Sequence, residues 1–281
     1  MQLIEDFTDY QILGMSEGHK YEKWGNVVLK RPDPQIIWSK PCDIQVDAIY
    51  VRSSEGGGAW QINDVPDAWQ INYQDLVFNL KLMGFKHTGL FPEQAYNWQL
   101  IRSKIKAAKR KVKVLNLFAY TGAASIAALK EGAQVVHVDS SKGMIQWAKE
   151  NVAANGLENE TIHFLVDDVK KFVKRELRRG NKYDIIIMDP PSFGRGAKNE
   201  VWQVEKDLFN LVEDCVNLLS DDPLLLIINA YTTGLSPKVL ENILNILIKK
   251  PGYIFSDELG IKALDGLILP CGMTARWEKK S

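Results

Sequence analysis

The stretch Val114-Leu115-Asn116-Leu117-Phe118-Ala119-Tyr120-Thr121-Gly122 sets the fold class of this chain. Its apolar part, residues 112–118, predicts a buried strand, and Gly122 predicts a tight turn into a helix at 123–131. Further apolar runs alternate with helical segments; the runs are 134–138, 162–166, 183–188, 224–229, 253–255 and 266–269, and the helices are 142–155, 169–179, 204–219 and 237–249. This alternation predicts an α/β fold with a doubly wound, mostly parallel, seven-stranded sheet. The last two runs leave no room for a helix between them, so they predict an antiparallel hairpin.

The N-terminal region has a different pattern and predicts a small β-rich domain at 1–85, followed by the α/β domain at 86–281. Residues 76–82 alternate apolar and polar side chains, and 44–52 and 68–73 are further predicted strands, with a glycine-rich turn at 53–58. Five of the eight tryptophans lie within the first 98 residues. Packing of large aromatic side chains in a small sheet explains them best, and a base-stacking surface is the alternative.

Composition excludes several classes of protein. The chain has 35 basic and 35 acidic residues, so it is not uniformly basic like a protein that coats nucleic acid. No apolar run of about 18 residues occurs, and the N-terminal residues lack the pattern of a signal peptide. The three cysteines are far apart and form no CxxC pair, so we expect a reduced, cytoplasmic protein without a metal site.

The chemistry is expected where the predicted strands end, because ligands of open α/β sheets bind outside the carboxyl ends of the strands. Gly122 follows the first strand and allows close approach of the backbone to a ligand. Asp139, Asp168 and the segment 189–193 follow the next three strands. Each aspartate could equally cap the following helix. The conjunction of all four segments at one rim favours a site for a nucleoside cofactor.

The glycine pattern narrows the choice of cofactor. Ala119, Thr121 and Ala124 occupy positions where the dinucleotide fingerprint GxGxxG needs glycine, which disfavours NAD and FAD. No GxxxxGK[ST] sequence occurs, which excludes a P-loop ATPase. A nucleoside cofactor without phosphates therefore fits better.

The motifs at these strand ends carry a family resemblance. The sequence from Val114 to Gly122, then Val138-Asp139-Ser140-Ser141, Val166-Asp167-Asp168-Val169 and Asp184 to Phe193, resembles the class I S-adenosylmethionine-dependent methyltransferases. Within them it is most similar to the bacterial 23S ribosomal RNA methyltransferase group, which combines NxFxYTG with DPPxF. The match covers about residues 87–235, and we expect no N-terminal PUA-type RNA-binding domain of the kind that many members carry.

The resemblance implies a role for each matching residue, with S-adenosyl-L-methionine as cofactor and S-adenosyl-L-homocysteine as product. The methionine part of the cofactor would be lined by Asn116, Phe118, Ala119, Tyr120, Thr121 and Gly122, and Gln94 would face its carboxylate end. The ribose hydroxyls would bind Asp139, with Ser140 beside it, and the adenine would contact Asp168 and Val169. The catalytic acceptor pocket would be formed by Asp189, Pro190, Pro191 and Phe193, of which Asp189 also contacts the cofactor.

The sequence also bears on the acceptor atom. Methylation at C5 of a pyrimidine usually requires a cysteine nucleophile. The stretch 229–235 after the fifth strand contains no cysteine, which leaves only Cys271 as a candidate. We therefore expect a nitrogen acceptor, with Asp189 and the Pro190 carbonyl accepting its hydrogens and Phe193 stacking on a planar base.

The most basic stretch suggests how RNA could bind. Residues 98–113 contain seven basic and no acidic side chains. Such a helix is usually a solvated face; the alternative is a phosphate track that leads to the acceptor pocket and includes Arg102, Lys104, Lys109, Arg110 and Lys111. The sequence thus predicts an RNA base methyltransferase. A methyltransferase for a protein side chain or small molecule, and a non-catalytic RNA-binding protein that needs the cofactor, are alternatives, and the oligomeric state is open.

Overall fold

The structure, a computed structural model, describes residues 1–195, 201–232 and 234–280. The chain forms two compact units. The β-rich unit comprises Gln2–Tyr96 and Gly260–Cys271, and the α/β unit comprises Met1, Asn97–Leu259 and Gly272–Ser281. The first unit therefore takes a second stretch from near the C-terminus, whereas the sequence predicted two successive domains that meet between residues 85 and 86.

The β-rich unit is built from short strands in its first 80 residues: β1 (Gln2–Ile4), β2 (Tyr10–Ser16), β3 (His19–Trp24), β4 (Val27–Pro32), β5 (Ala48–Arg52), β6 (Gly58–Ile62), β7 (Trp69–Tyr73) and β8 (Leu76–Leu80). Five of them form a sheet in the order β2-β3-β4-β5-β6, and β7 pairs with β8. The predicted turn at 53–58 joins β5 to β6. The predicted strands at 44–52, 68–73 and 76–82 extend one to four residues beyond β5, β7 and β8, respectively. Strands β1 to β4 and β6 were not predicted.

Large aromatic side chains fill the core of this unit. Trp24 is fully buried, and its ring lies 4.5 Å from the ring of Tyr10 in an edge-on arrangement. Ile12, Met15 and Leu29 are likewise fully buried around them. For these residues, packing rather than an exposed stacking surface explains the aromatic composition.

One buried ion pair crosses the core of this unit. Glu22, which is fully buried, accepts hydrogen bonds from Arg31 Nε at 2.5 Å and from Tyr10 Oη at 2.7 Å. Burial disfavours the charged carboxylate, but Arg31 and Lys20 outweigh it and lower the pKa of Glu22 to about 2. Arg31 also donates to the Lys86 carbonyl oxygen at 3.0 Å, so this pair ties β3 and β4 to a later segment.

The α/β unit follows a 3₁₀ helix, Pro92–Gln94, that precedes α1 (Ala95–Ala108). Its elements in chain order are β9 (Lys113–Leu117), α2 (Ala123–Leu129), β10 (Gln134–Asp139), α3 (Lys142–Ala154), β11 (Ile162–Val166), α4 (Val169–Arg179), β12 (Ile185–Met188), β13 (Phe193–Arg195), β14 (Val201–Gln203), α5 (Val204–Asn217), β15 (Leu225–Ala230), α6 (Pro237–Leu247), β16 (Gly252–Lys262) and β17 (Ile268–Lys279). The predicted bounds of β11 and α4 are confirmed, and the other predicted helices of this unit end within four residues of the prediction.

The central sheet has eight strands, one more than the seven predicted, in the order β1-β16-β17-β15-β12-β9-β10-β11. The pairs β9–β10, β10–β11, β9–β12 and β12–β15 are parallel, and β15–β17 is antiparallel. This confirms the doubly wound, mostly parallel sheet. Since the chain moves from β9 to β10 on one side and later to β12 on the other, the strand order switches at β9.

Two hairpins differ from the prediction. The last hairpin is present, with residues 263–267 between its strands, but β16 and β17 are 11 and 12 residues long, far longer than their apolar runs. Polar residues interrupt the apolar pattern of both strands, at 256–258 in β16 and at 274 and 276 in β17, so apolar content alone did not reveal their length. The short hairpin of β13 and β14 was not predicted at all.

None of the helices among the described residues is both long enough and apolar enough to cross a membrane. Within the same residues, no group of three or more His, Cys, Asp or Glu side chains could hold a metal ion.

We predict that Arg31→Met destabilises the protein by about 3–5 kcal/mol, because it leaves Glu22 buried and charged without its main partner. Urea unfolding at neutral pH measures this loss. The folded pKa of Glu22 lies below its unfolded value, so the pair stabilises the native state above the unfolded pKa of about 4.3, and this contribution fades as the pH falls towards 2. Arg52→Met, at an exposed position, is the control, and equal midpoints for the two variants would contradict the prediction.

Candidate active site

The candidate site lies at the carboxyl ends of the parallel strands of the α/β unit. Residues 118–122 follow β9, 139–141 follow β10, 167–168 follow β11 and 189–193 follow β12. Parallel pairing brings these ends to one edge of the sheet. All four segments predicted from the sequence therefore lie on one rim, at and beside the strand-order switch.

The segment 118–122, the cofactor loop, has an unusual backbone. Phe118 and Tyr120 have φ of 54° and 52°, in the left-handed region that costs a non-glycine residue of order 1–3 kcal/mol. Gly122 has φ of 91° and begins α2, and a Cβ there would lie 3.1 Å from Cβ of Ala148 on α3. Glycine is therefore required at 122 both by the backbone and by close packing of the loop on α3.

Asp139 fixes this loop from the end of β10. Its Oδ2 accepts from the Tyr120 amide at 2.9 Å, and its Oδ1 accepts from the Ser141 amide at 2.8 Å. Burial raises the pKa of Asp139, while these amides oppose the rise. Ser141 caps α3 by accepting from the Met144 amide, so Asp139 is not the cap that the sequence left open. Each of its oxygens retains capacity for one more hydrogen bond, such as one from a ribose diol.

Asp168 caps α4 with one carboxylate oxygen and keeps the other for a possible ligand. Its Oδ1 accepts from the Lys171 amide at 2.9 Å and caps α4, which is one of the two roles the sequence suggested. The side chain is only half buried, so its second oxygen can still accept from an adenine amine. Val169 beside it is buried. Contacts of Asp168, Val169 and the exposed Ser140 with a cofactor stay predictions.

The order of these groups fits the predicted cofactor. The cofactor loop, Asp139 and Asp168 follow β9, β10 and β11, which are neighbours about 4.8 Å apart. A nucleoside laid across these three ends would place its methionine part, ribose and adenine in that sequence. The donors and acceptors present therefore fit S-adenosylmethionine.

Asn116 lies beneath the loop rather than on the rim. It is buried in β9 and donates to Oγ of Ser125 on α2 at 3.0 Å, and the same Oγ lies 3.0 Å from Nδ1 of His137 on β10. Burial lowers the pKa of His137 to about 3, so the imidazole is neutral at physiological pH. This network supports the loop from below. Direct contact of Asn116 with the cofactor stays a prediction.

The segment 189–193, the acceptor loop, is held by three hydrogen bonds. Trp202 Nε1 donates to the Pro191 carbonyl at 2.6 Å, and the Val204 amide donates to the Ser192 carbonyl at 3.1 Å. Thr232 Oγ1 donates to Ser192 Oγ at 2.7 Å. Met188 pairs with Ile228 in the sheet, and Ser192 and Thr232 are separated by the same offset of 40 residues beyond the strand ends.

Trp202 connects the acceptor loop to the cofactor loop. Its ring is 5.3 Å from that of Phe118, and it is almost completely buried. The Lys170 ammonium lies 5.9 Å from the centroid of the Trp202 ring and is anchored by Asp207 at 2.9 Å. The indole thus joins the two loops by a ring contact on one side and a hydrogen bond on the other.

Phe193 is the exposed member of the acceptor loop. Its side chain is 51% exposed, whereas Pro190 is buried beside it. The exposed half of this ring can stack on a planar ligand.

The basic residues predicted as a phosphate track lie elsewhere. Arg102 pairs with Glu131 at 2.5 Å, Lys104 with Glu278 at 2.6 Å and Arg110 with Asp184 at 3.0 Å. Lys109 and Lys111 are exposed but precede β9, whereas the cofactor loop follows it. A five-residue strand, about 17 Å, separates the two ends. The arrangement therefore favours a solvated face over the alternative of a phosphate track that leads to the acceptor pocket, because α1 returns the chain to the amino edge before β9 begins.

Gln94 is buried in the 3₁₀ helix and belongs to the β-rich unit, so its predicted role at the carboxylate end of the cofactor stays a prediction. Sequence reasoning missed Ser125, His137, Trp202 and Thr232. Of these, Thr232 could have been found, because β12 and β15 pair with a constant offset of 40 residues, as in Met188 with Ile228. Trp202 carried no comparable signal.

Comparison with known proteins gives consistent results. The sequence profile of a family described as S-adenosylmethionine-dependent methyltransferase matches residues 43–245. The crystal structure of the SAM dependent methyltransferase from Agrobacterium tumefaciens is similar with a TM-score of 0.94 and 35% identity, over 99% of this chain and 93% of that one.

Two curated relatives are called ribosomal RNA large subunit methyltransferase K/L. The one from Shewanella baltica is 38% identical over 51% of this chain, and the one from Colwellia psychrerythraea is 30% identical over 68% of it. The matched segments make up only 20% and 26% of those proteins, so the chain spans about a quarter or less of their length.

We predict that Asp139→Ala lowers the affinity for S-adenosylhomocysteine about 10- to 150-fold, because a charged acceptor that also holds the amides of Tyr120 and Ser141 is lost, worth about 1.5–3 kcal/mol. Isothermal titration calorimetry measures the affinity, and the melting temperature of the unliganded variant separates binding from unfolding. Asp221→Ala, at an exposed turn, is the control. Unchanged affinity for Asp139→Ala would mean that the carboxylate only shapes the loop.

Proposed function

The chain belongs to the S-adenosylmethionine-dependent methyltransferase family, and we propose that it methylates a nitrogen of a base in RNA, such as ribosomal RNA. One observation carries the acceptor proposal: Phe193 is half exposed on the acceptor loop, which is braced by three hydrogen bonds and also contains Asp189 and Pro190. The relatives named as ribosomal RNA methyltransferases support the same substrate class. A ribosomal acceptor would place the enzyme in the cytoplasm.

The chain's own residues bind and orient the acceptor. When bound, the cofactor supplies a methyl group on a sulfonium, whose leaving group is a neutral thioether. The Asp189 carboxylate and the Pro190 carbonyl accept hydrogens from the acceptor amine and direct its lone pair. Phe193 stacks on the base and fixes its plane. Alignment of this kind can lower the barrier by several kcal/mol, at most about 7–11. The proton that the methylated nitrogen releases passes to the Asp189 carboxylate or to water, so no further base is needed.

The raised pKa values of the three cysteine thiols favour a nitrogen atom over a pyrimidine carbon as the methyl acceptor. A cysteine nucleophile needs a lowered pKa. Burial instead raises the pKa of Cys42, Cys215 and Cys271, and Cys215 lies in the hydrophobic core. None of the chain's three cysteines is thus prepared as a thiolate.

The proposal is tested by transferring labelled methyl groups from S-adenosylmethionine onto RNA from a strain that lacks this gene, followed by digestion to nucleosides. We expect the label in an N-methylated nucleoside. Label in 5-methylcytosine, lost in Cys271→Ser, would overturn the nitrogen acceptor. Label found only in protein or in small molecules would overturn the RNA acceptor.

We further predict that Trp202→Phe slows methyl transfer about 2- to 12-fold while S-adenosylhomocysteine affinity changes less than about twofold. The variant keeps a ring against Phe118 but loses the donor to Pro191, worth about 0.5–1.5 kcal/mol. Single-turnover rates at saturating cofactor measure the effect.

Trp60→Phe is the matched control, because Trp60 also donates its indole N–H to a backbone carbonyl, that of Phe85, within the β-rich unit. Equal transfer rates for wild type, Trp202→Phe and Trp60→Phe would show that the Trp202 bond does not position the acceptor loop.

A further inference from the structure

Three basic segments distant in sequence meet at the amino edge of the sheet in the α/β unit, opposite the active-site rim. The Lys113 amide donates to Asp184 at 2.9 Å, which places the segment before β9 beside the one before β12. The Lys279 amide donates to the Leu224 carbonyl at 3.1 Å, which brings the end of β17 to the start of β15. A Cβ on Gly252 would lie 2.5 Å from the Glu278 carbonyl oxygen, so β16 begins next to that end.

This edge carries a surplus of positive charge. Residues 109–111, 249–250 and 279–280, here called the amino-edge surface, are all lysine or arginine. The acidic side chains that face them are Asp184, which pairs with Arg110, and Asp222, which pairs with Lys279, together with the neighbouring Asp221. Lys109, Lys111 and Lys249 are exposed and form no ion pair within the described residues. Their charges are therefore available to a polyanion.

Exposed aromatic rings lie beside these cations. Tyr253 and Phe255, shortly after Lys250, are 50% and 44% exposed, with ring centroids 6.3 Å apart. The guanidinium of Arg276 lies 4.8 Å from the Phe255 centroid. Cations interleaved with exposed rings are typical of surfaces that bind single-stranded nucleic acid, because phosphates pair with the cations and bases stack on the rings. An anionic membrane would use the charges without needing this arrangement of rings.

We propose that the amino-edge surface binds the RNA substrate away from the methylated base; this rests on the proposed RNA acceptor. The surface and the rim lie at opposite ends of strands about 17 Å long. One RNA that contacts both must therefore extend over more than about five stacked nucleotides, at about 3.4 Å each. Recognition of such an RNA depends on contacts that a single nucleoside cannot make.

The charge arm of the test uses the variant Lys109→Gln/Lys111→Gln/Lys249→Gln and a fluorescein-labelled RNA with a stem and a single-stranded loop. Anisotropy is measured over a range of salt concentrations. We expect the magnitude of the negative slope of log affinity against log salt to decrease by about 2–3, since each lost phosphate contact removes about 0.7–0.9 from it. The control Lys23→Gln/Lys149→Gln/Lys262→Gln removes three exposed lysines elsewhere and should leave the slope unchanged. An unchanged slope in the first variant would overturn the proposal.

The aromatic arm compares Tyr253→Ala with Phe209→Ala, which removes a 40% exposed ring from α5. We expect Tyr253→Ala alone to weaken RNA binding, about 5- to 150-fold for the loss of one stacked base. Unchanged RNA affinity, combined with loss of binding to phosphatidylserine vesicles in the lysine variant, would assign the surface to membranes and overturn the proposal. Methylation of RNA by the unaltered protein is measured in parallel, so failure of the RNA acceptor is distinguished from failure of this surface.

Discussion

The bonds that Asp139 makes to two backbone amides hold the candidate active site together. They join the end of β10 to a loop in which Phe118 and Tyr120 adopt left-handed backbone angles, and to the start of α3. A strained loop persists only where its surroundings determine it. Here the carboxylate acts from one side, and close packing of Gly122 on α3 acts from the other. The residue expected to bind the ribose therefore also shapes the loop expected to bind the methionine part, and the two roles use different lone pairs of the same oxygens.

The second half of the site depends on a single indole. Trp202 contacts the ring of Phe118 and donates to the Pro191 carbonyl, so the loop on the cofactor side and the loop on the acceptor side share one rigid neighbour. Methyl transfer from a sulfonium requires alignment more than acid–base chemistry. A connection that fixes the relative position of both loops suits this requirement, and the hydrogen bond between Thr232 and Ser192 adds a brace from β15.

Charge is distributed between two edges of one sheet. The equal numbers of basic and acidic residues conceal an active-site rim with carboxylates at its strand ends and an amino edge where lysines gather. The basic stretch that begins the α/β unit contributes to the second edge and not to the first. In our proposal, the edge opposite the reaction holds the RNA and the rim selects the base, so affinity and chemistry are assigned to different ends of the same strands.

The sequence by itself determined the fold class and the four segments of the rim. Strand and helix periodicity is local, and parallel strands joined by helices must present their carboxyl ends on one edge. It could not decide which residue caps α3, because Asp139, Ser140 and Ser141 stand side by side before the helix and all are of residue types that cap helices. It missed Trp202, and it left open whether residues 109–111 form a solvated face or lead to the acceptor pocket. Only the tertiary structure decided these points, because a side chain's partners depend on where distant segments are brought by packing, and a charge pattern does not reveal which end of a strand it adjoins.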